Sequence, residues 1–193
     1  MAALVHFDKR GRWGETLVCE HRIAGALAAL GLRSGRVPVH EDLGEGLEAV
    51  CNVYAAELAD LQRVLDVRSI DRITLRPGHF DWPRLRRSFL TEHTHAEAEI
   101  RLFLSGTGLF HLRHADGFVG LLCEAGDWVS VPAGMAHTFD GGEQPDFDAL
   151  RLFGSSEGWV ARPTGARGPR LPLLDDFAVQ LLSLSGQALD EWE

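Results

Sequence analysis

Between Arg86 and Arg151 the chain is interrupted at short intervals by turn-forming groups. These are Ser105-Gly106-Thr107-Gly108, Ala115-Asp116-Gly117, Glu124-Ala125-Gly126-Asp127, Pro132-Ala133-Gly134 and Asp140-Gly141-Gly142. The apolar runs between them are a few residues long. Gly and Asp permit the tight reversals that join neighbouring strands, so this spacing predicts an antiparallel sandwich or barrel. Ile70, Ile73 and Leu75 read as a further short strand, stopped by Arg76-Pro77-Gly78, and Gly78 to Pro83 reads as a loop.

The first third has a different rhythm. Ile23, Ala24, Leu27, Ala28 and Leu30 recur at helical spacing between Glu20 and Leu32, and Gly31 ends the run. Leu47, Val50, Val53, Tyr54, Leu58, Leu61 and Leu65 do the same between Glu45 and Asp66, with Gly35 to Gly44 as the connecting loop. The chain therefore reads as one mainly β domain over 1–193. Residues 1–68 form a largely helical part packed alongside, 69–165 the barrel, and 166–193 a tail. Residues 161–168 form a Gly-, Pro- and Arg-rich loop leading into that tail, and Phe177 to Leu184 fits a short helix or a strand.

A chain of 193 residues with 45% hydrophobic and 24% charged residues buries a core without staples. A metal bound here is expected to serve chemistry rather than folding. The formal net charge of −9 argues against a polyphosphate partner, because nucleic acids favour basic surfaces. Cys19, Cys51 and Cys123 are far apart and odd in number, as expected of reduced, small apolar residues. No leader-like or membrane-spanning apolar run occurs, so no membrane association and a cytoplasmic location are expected.

The densest chemical signal is Glu92-His93-Thr94-His95-Ala96-Glu97-Ala98-Glu99. On a strand, residues two apart share a face, so His93 and His95 present paired imidazoles. Glu99 rejoins that face if Ala96 to Ala98 bend. Two imidazoles and a carboxylate suit a divalent transition metal. Further on, Gly126 to His137 encodes a turn, a short apolar strand, a Pro-Ala-Gly turn and a histidine on a new strand. That order can carry His137 across a barrel to complete a set of three His and one Glu. Such a set leaves two positions of an octahedron open. Arg101 shares the parity of Glu99, so its guanidinium, charged at any working pH, enters the same pocket.

These two segments resemble the two motifs of the cupin superfamily. The resemblance implies a double-stranded β-helix, or jelly-roll barrel. One departure is Arg87, where cupins often carry a glycine six residues before the first ligand. The run Phe89 to His95, then Glu99-Ile100-Arg101, Ser105 to Phe110, Val131 to Asp140, Arg151-Leu152-Phe153 and Glu157 to Ala161 is similar, more narrowly, to the acireductone dioxygenases. That likeness spans about residues 69–165.

The resemblance to this family implies that His93, His95, Glu99 and His137 hold one Fe2+ or Ni2+ per monomer. It assigns substrate binding and catalysis to Arg101, and pocket walls to Phe89, Phe139 and Trp159. It implies cleavage by O2 of the acireductone 1,2-dihydroxy-3-keto-5-methylthiopentene in methionine salvage, by a monomeric enzyme. Iron gives 4-methylthio-2-oxobutanoate and formate in the family; nickel gives methylthiopropionate, formate and CO. Ala98 and Leu102 depart from the family's acidic and aromatic preferences. The remaining histidines read as structural or surface groups, and His111 should face away from Phe110 and Leu112. The alternatives are another metal-dependent cupin enzyme or a non-catalytic small-ligand cupin.

Overall fold

The computed structural model describes residues 1–64, 66–156 and 160–190. Two strands, β1 (Ala3–Asp8) and β2 (Trp13–Leu17), open the chain and are followed by helix α1 (Glu20–Ala29) and strand β3 (Arg33–Arg36). Helices α2 (Gly46–Val53) and α3 (Ala55–Val64) precede β4 (Ser69–Leu75) and helix α4 (Trp82–Leu90). The strands β5 (His93–Thr94), β6 (Glu99–His114), β7 (Gly117–Glu124), β8 (Asp127–Val131), β9 (His137–Asp140) and β10 (Phe147–Phe153) form a nearly unbroken series. A short β11 (Arg162–Pro163) and helix α5 (Leu174–Asp190) complete the described chain.

Strand β6 builds the barrel. Its first half pairs with β10 and β8, and its second half with β7 and β9, all antiparallel. The change of partners falls at Gly106, whose φ of +72° bends the strand in a way L side chains resist. Ser105 to Gly108, expected to be a turn, is therefore a bend inside one sixteen-residue strand. The other four turn groups lie between strands as expected. The result is the mainly β antiparallel barrel that the sequence pattern predicts, in the double-sheet jelly-roll form that the family resemblance implies.

Alternation along β6 makes three apolar layers. Phe103, Phe110 and Leu112 enter the barrel with Val119, Val129, Phe139 and Phe147, and Ile23 and Leu27 of α1 join the same core. Ile100, Leu102 and Leu104 face outward beneath Val50, Tyr54, Leu58 and Leu61 of the paired helices. Each fully covered Leu or Ile there contributes about 1.5–3 kcal/mol relative to exposure. Leu102 thus packs under α2 and α3, away from the metal-ligand face. Its departure from the aromatic preference changes a helix contact. A third layer joins Val5, Phe7, Leu109 and Phe118 to Leu174 and Phe177 of α5.

The N-terminal part departs from expectation. Its two helical stretches are helices, the second broken at Tyr54, but 1–68 also contributes three strands. β1 pairs with β7 and β2, and β3 pairs with β8, so the sheets are not confined to 69–165. β1 is short and apolar, and β3 (Arg-Ser-Gly-Arg) has no apolar alternation to reveal it. The tail segment from Phe177 is helical rather than extended. The start of α4 is masked in the sequence by Asp81 and Pro83, which serve loops equally well; Pro at the first turn of a helix lacks only an N–H that has no helical partner there.

Candidate metal centre

The register of β5 against β9 sets His93 directly opposite His137, with ring centroids 4.5 Å apart. Thr94 takes the other face, and His95 returns beside His93, centroid to centroid 5.2 Å. The Pro132-Ala133-Gly134 turn is tied to this segment by the Gly134 N–H, which donates to the His95 carbonyl at 2.9 Å. All three rings are buried.

Main-chain carbonyls orient each imidazole. Nδ1 of His93 lies 2.7 Å from the Thr91 carbonyl, and Nδ1 of His137 lies 2.8 Å from that of Met135. Nδ1 of His95 is 3.3 Å from the Val160 carbonyl. A carbonyl only accepts, so each Nδ1 carries the proton and each Nε2 keeps its lone pair. One ligand atom from each ring lies within 4.8 Å of the others. Burial pushes the His93 pKa below its ordinary value, which favours the neutral, ligating form.

Glu99 stands at the edge of this trio. Its Oε2 is 3.1 Å from His95 Nε2 and 3.7 Å from His137 Nε2. With the protons on Nδ1, these are acceptors facing acceptors. Such an arrangement is favourable only with a cation between them, so the donor set fits a divalent metal. The other oxygen, Oε1, receives Arg101 Nη2 at 2.6 Å and Nε at 3.2 Å. Burial opposes ionisation of Glu99, and the Arg101 guanidinium beside it favours the ionised form and draws the carboxyl below the usual range. Nη1 of Arg101 is buried without a hydrogen-bond partner among the described residues. Its guanidinium also lies 4.9 Å from the Phe139 ring centroid.

A cavity of about 210 Å³ opens on these groups. Phe89 and Phe139 form one wall, edge to face at 5.8 Å. Phe89 comes from the last turn of α4 and not from a strand, yet it lines the cavity. Arg86 fixes that helix through Nε and Nη2 bonds of 2.8 and 3.0 Å to Asp140 on β9. Trp159 lies outside the described residues. Ser88, Phe110, Arg151 and Ala161 also line the cavity and were not singled out from the sequence. Arg151 sits opposite Arg101 in the β6–β10 register, so its own strand parity carried the signal. The orienting carbonyls left no trace in side-chain chemistry.

The ARD/ARD' family model matches residues 47–161. An acireductone dioxygenase of Synechococcus sp. (strain RCC307) is 43% identical over 155 residues, 79% of this chain and 84% of that protein. One from Pseudomonas paraeruginosa (strain DSM 24068 / PA7) is 42% identical over 157 residues, 80% of this chain and 87% of its own length. Among solved structures, the acireductone dioxygenase from Bacillus anthracis with a cadmium ion in its active centre superposes with a TM-score of 0.73 at 25% identity. It covers 84% of this chain and 98% of its own. A matched domain that contains the histidine trio, and relatives alike across about four fifths of the sequence, lead to one conclusion: the chain belongs to the ARD/ARD' family.

Proposed function

We propose that this chain is an acireductone dioxygenase that cleaves 1,2-dihydroxy-3-keto-5-methylthiopentene with O2 in methionine salvage. His93, His95, Glu99 and His137 would hold one Fe2+ or Ni2+ per chain, and the protein would work as a cytoplasmic monomer. The observation that carries the reading is the convergence of three carbonyl-oriented Nε2 lone pairs beside Glu99, with Arg101 on the same wall. A divalent ion bound there supplies Lewis-acid chemistry and a template for two substrate oxygens.

The chain's own groups have separable parts in this scheme. Arg101 Nη1, unpartnered among the described residues, donates to an anionic enediolate oxygen while Nη2 and Nε remain on Glu99. Glu99, held ionised, acts as a ligand and not as a proton donor. The Nδ1–carbonyl bonds keep the imidazoles neutral and fixed in orientation. Phe89, Phe110 and Phe139 limit water around an oxygen-sensitive anion. Trp159 would add a further wall. Following the family, iron would give the 2-oxo acid and formate, and nickel methylthiopropionate, formate and CO.

The test is an oxygen-electrode assay of Fe2+- and Ni2+-reconstituted protein with freshly generated acireductone, together with product analysis. Oxygen uptake with the two product sets is expected. Stoichiometrically metallated protein that leaves both oxygen and substrate untouched would sink the proposal. Elution on size exclusion at the monomer mass tests the assembly state.

A further inference from the structure

The barrel has a second cavity, behind the metal-bearing strands. Phe110, Leu112, His137 and Phe139 point inward, so the residues alternating with them point out. These are His111, Arg113 and Thr138, and His111 is paired with Thr138 across β6 and β9. The tail segment 166–173 crosses over them. It sits close because Gly168 has no side chain: a Cβ there would be 3.1 Å from Arg113 Nη2 and 3.5 Å from Phe118. Between floor and tail lies a cavity of about 420 Å³, distinct from the metal pocket.

Its lining is amphipathic. Leu171 and Phe118 supply apolar surface, and Arg170, Arg113, Thr138 and His111 supply donors. Glu92, the acidic group of the lining, is already engaged by Arg113 Nε at 2.7 Å and by the Thr164 hydroxyl at 2.6 Å. Arg113 makes no other side-chain hydrogen bond among the described residues and lies over the Phe118 ring at 4.6 Å. His111, on the same floor, is 5% exposed, and its Nε2 has no hydrogen-bond partner among the described residues. Two guanidinium groups against one neutralised carboxylate give an excess of positive charge.

We infer that the cavity between the β6–β9 outer face and the 166–173 strap is a binding site for a short-chain monocarboxylate. Arg170 and Arg113 take the carboxylate, with Thr138 beside them, and the alkyl chain lies on Phe118 and Leu171. A carboxylate uses the paired donors of guanidinium, and a chain of a few carbons fits the volume. The inference does not depend on the reaction proposed above.

Calorimetric titration of the metal-loaded protein with hexanoate, acetate and hexanol tests it, with transferred saturation recorded on the hexanoate chain. Hexanoate should bind, with acetate and hexanol each weaker by about tenfold or more because each lacks one half of the recognition. Arg170→Glu, a change at an exposed strap residue, should weaken hexanoate by a similar factor and leave metal content unchanged. Hexanoate affinity unaltered by Arg170→Glu would locate the carboxylate elsewhere, the metal centre included, and overturn the inference. So would hexanol binding as tightly as hexanoate, or no binding at all.

Discussion

Gly108 and Phe139 occupy overlapping space: a Cβ on Gly108 would lie 2.6 Å from Phe139 Cζ. The same ring supports the Arg101 guanidinium and meets Phe89 edge-on. Gly108→Ala must therefore displace Phe139. Overpacking of this kind costs about 1–3 kcal/mol, and the larger effect should fall on kcat/KM, since the wall of the pocket moves. Chemical denaturation and steady-state kinetics of the variant check both. Wild-type kinetics would show that Phe139 is not a functional wall.

Arg101→Met should lower kcat/KM by about 10²–10³, the usual loss on deleting a donor to a developing or bound oxyanion. Metal content should persist, because the histidine trio is unaltered. Arg101→Lys should recover only part of the loss, since an ammonium cannot span Glu99 and a substrate oxygen with fixed donors. Metal analysis alongside the kinetics separates this outcome from collapse of the site.

Chelation should lower the melting temperature, because an ion that binds only the folded chain stabilises it by about 2.7 kcal/mol at a hundredfold excess over Kd. Elemental analysis should give one ion per chain in the native protein and little in His137→Ala. Full occupancy in that variant would remove His137 from the ligand set.

His111 sets a pH dependence of stability. Burial depresses its pKa to about 4. In the unfolded chain the value returns to about 6.5. Between these values the unfolded chain binds the extra proton. Stability from the neutral ring is therefore complete above about pH 6.5 and is lost as pH falls towards 4, by about 3 kcal/mol. Urea unfolding at pH 7 and 4.5 should show this difference in the native protein and a smaller one in His111→Leu. Equal pH slopes would refute it.

Much of the site was legible because parity is a strict rule on strands. His93 and His95 had to share a face, and Arg101 had to follow Glu99. Where the backbone left the extended state the rule gave less. Phe89 reaches the pocket from a helix whose start is marked by Asp81 and Pro83, residues that serve loops equally well. β3 carries no apolar pattern; it is held by backbone pairing to β8, and Gly35 leaves room for the Trp128 indole. His111 was correctly set against Phe110 and Leu112, but its burial depends on α5. Packing of that helix onto β1 and β7 is a long-range event that no local window encodes.

The carbonyls of Thr91, Met135 and Val160 hold the imidazoles whatever ion arrives between them. Because the ring orientations are fixed before loading, ions of similar radius encounter the same geometry and incur the same small rearrangement. Discrimination between them at equilibrium then reduces to intrinsic nitrogen and oxygen affinity and to the free concentration of each ion in the cell. A chain with this scaffold should take up whichever ion its surroundings provide, so its product spectrum would report metal supply.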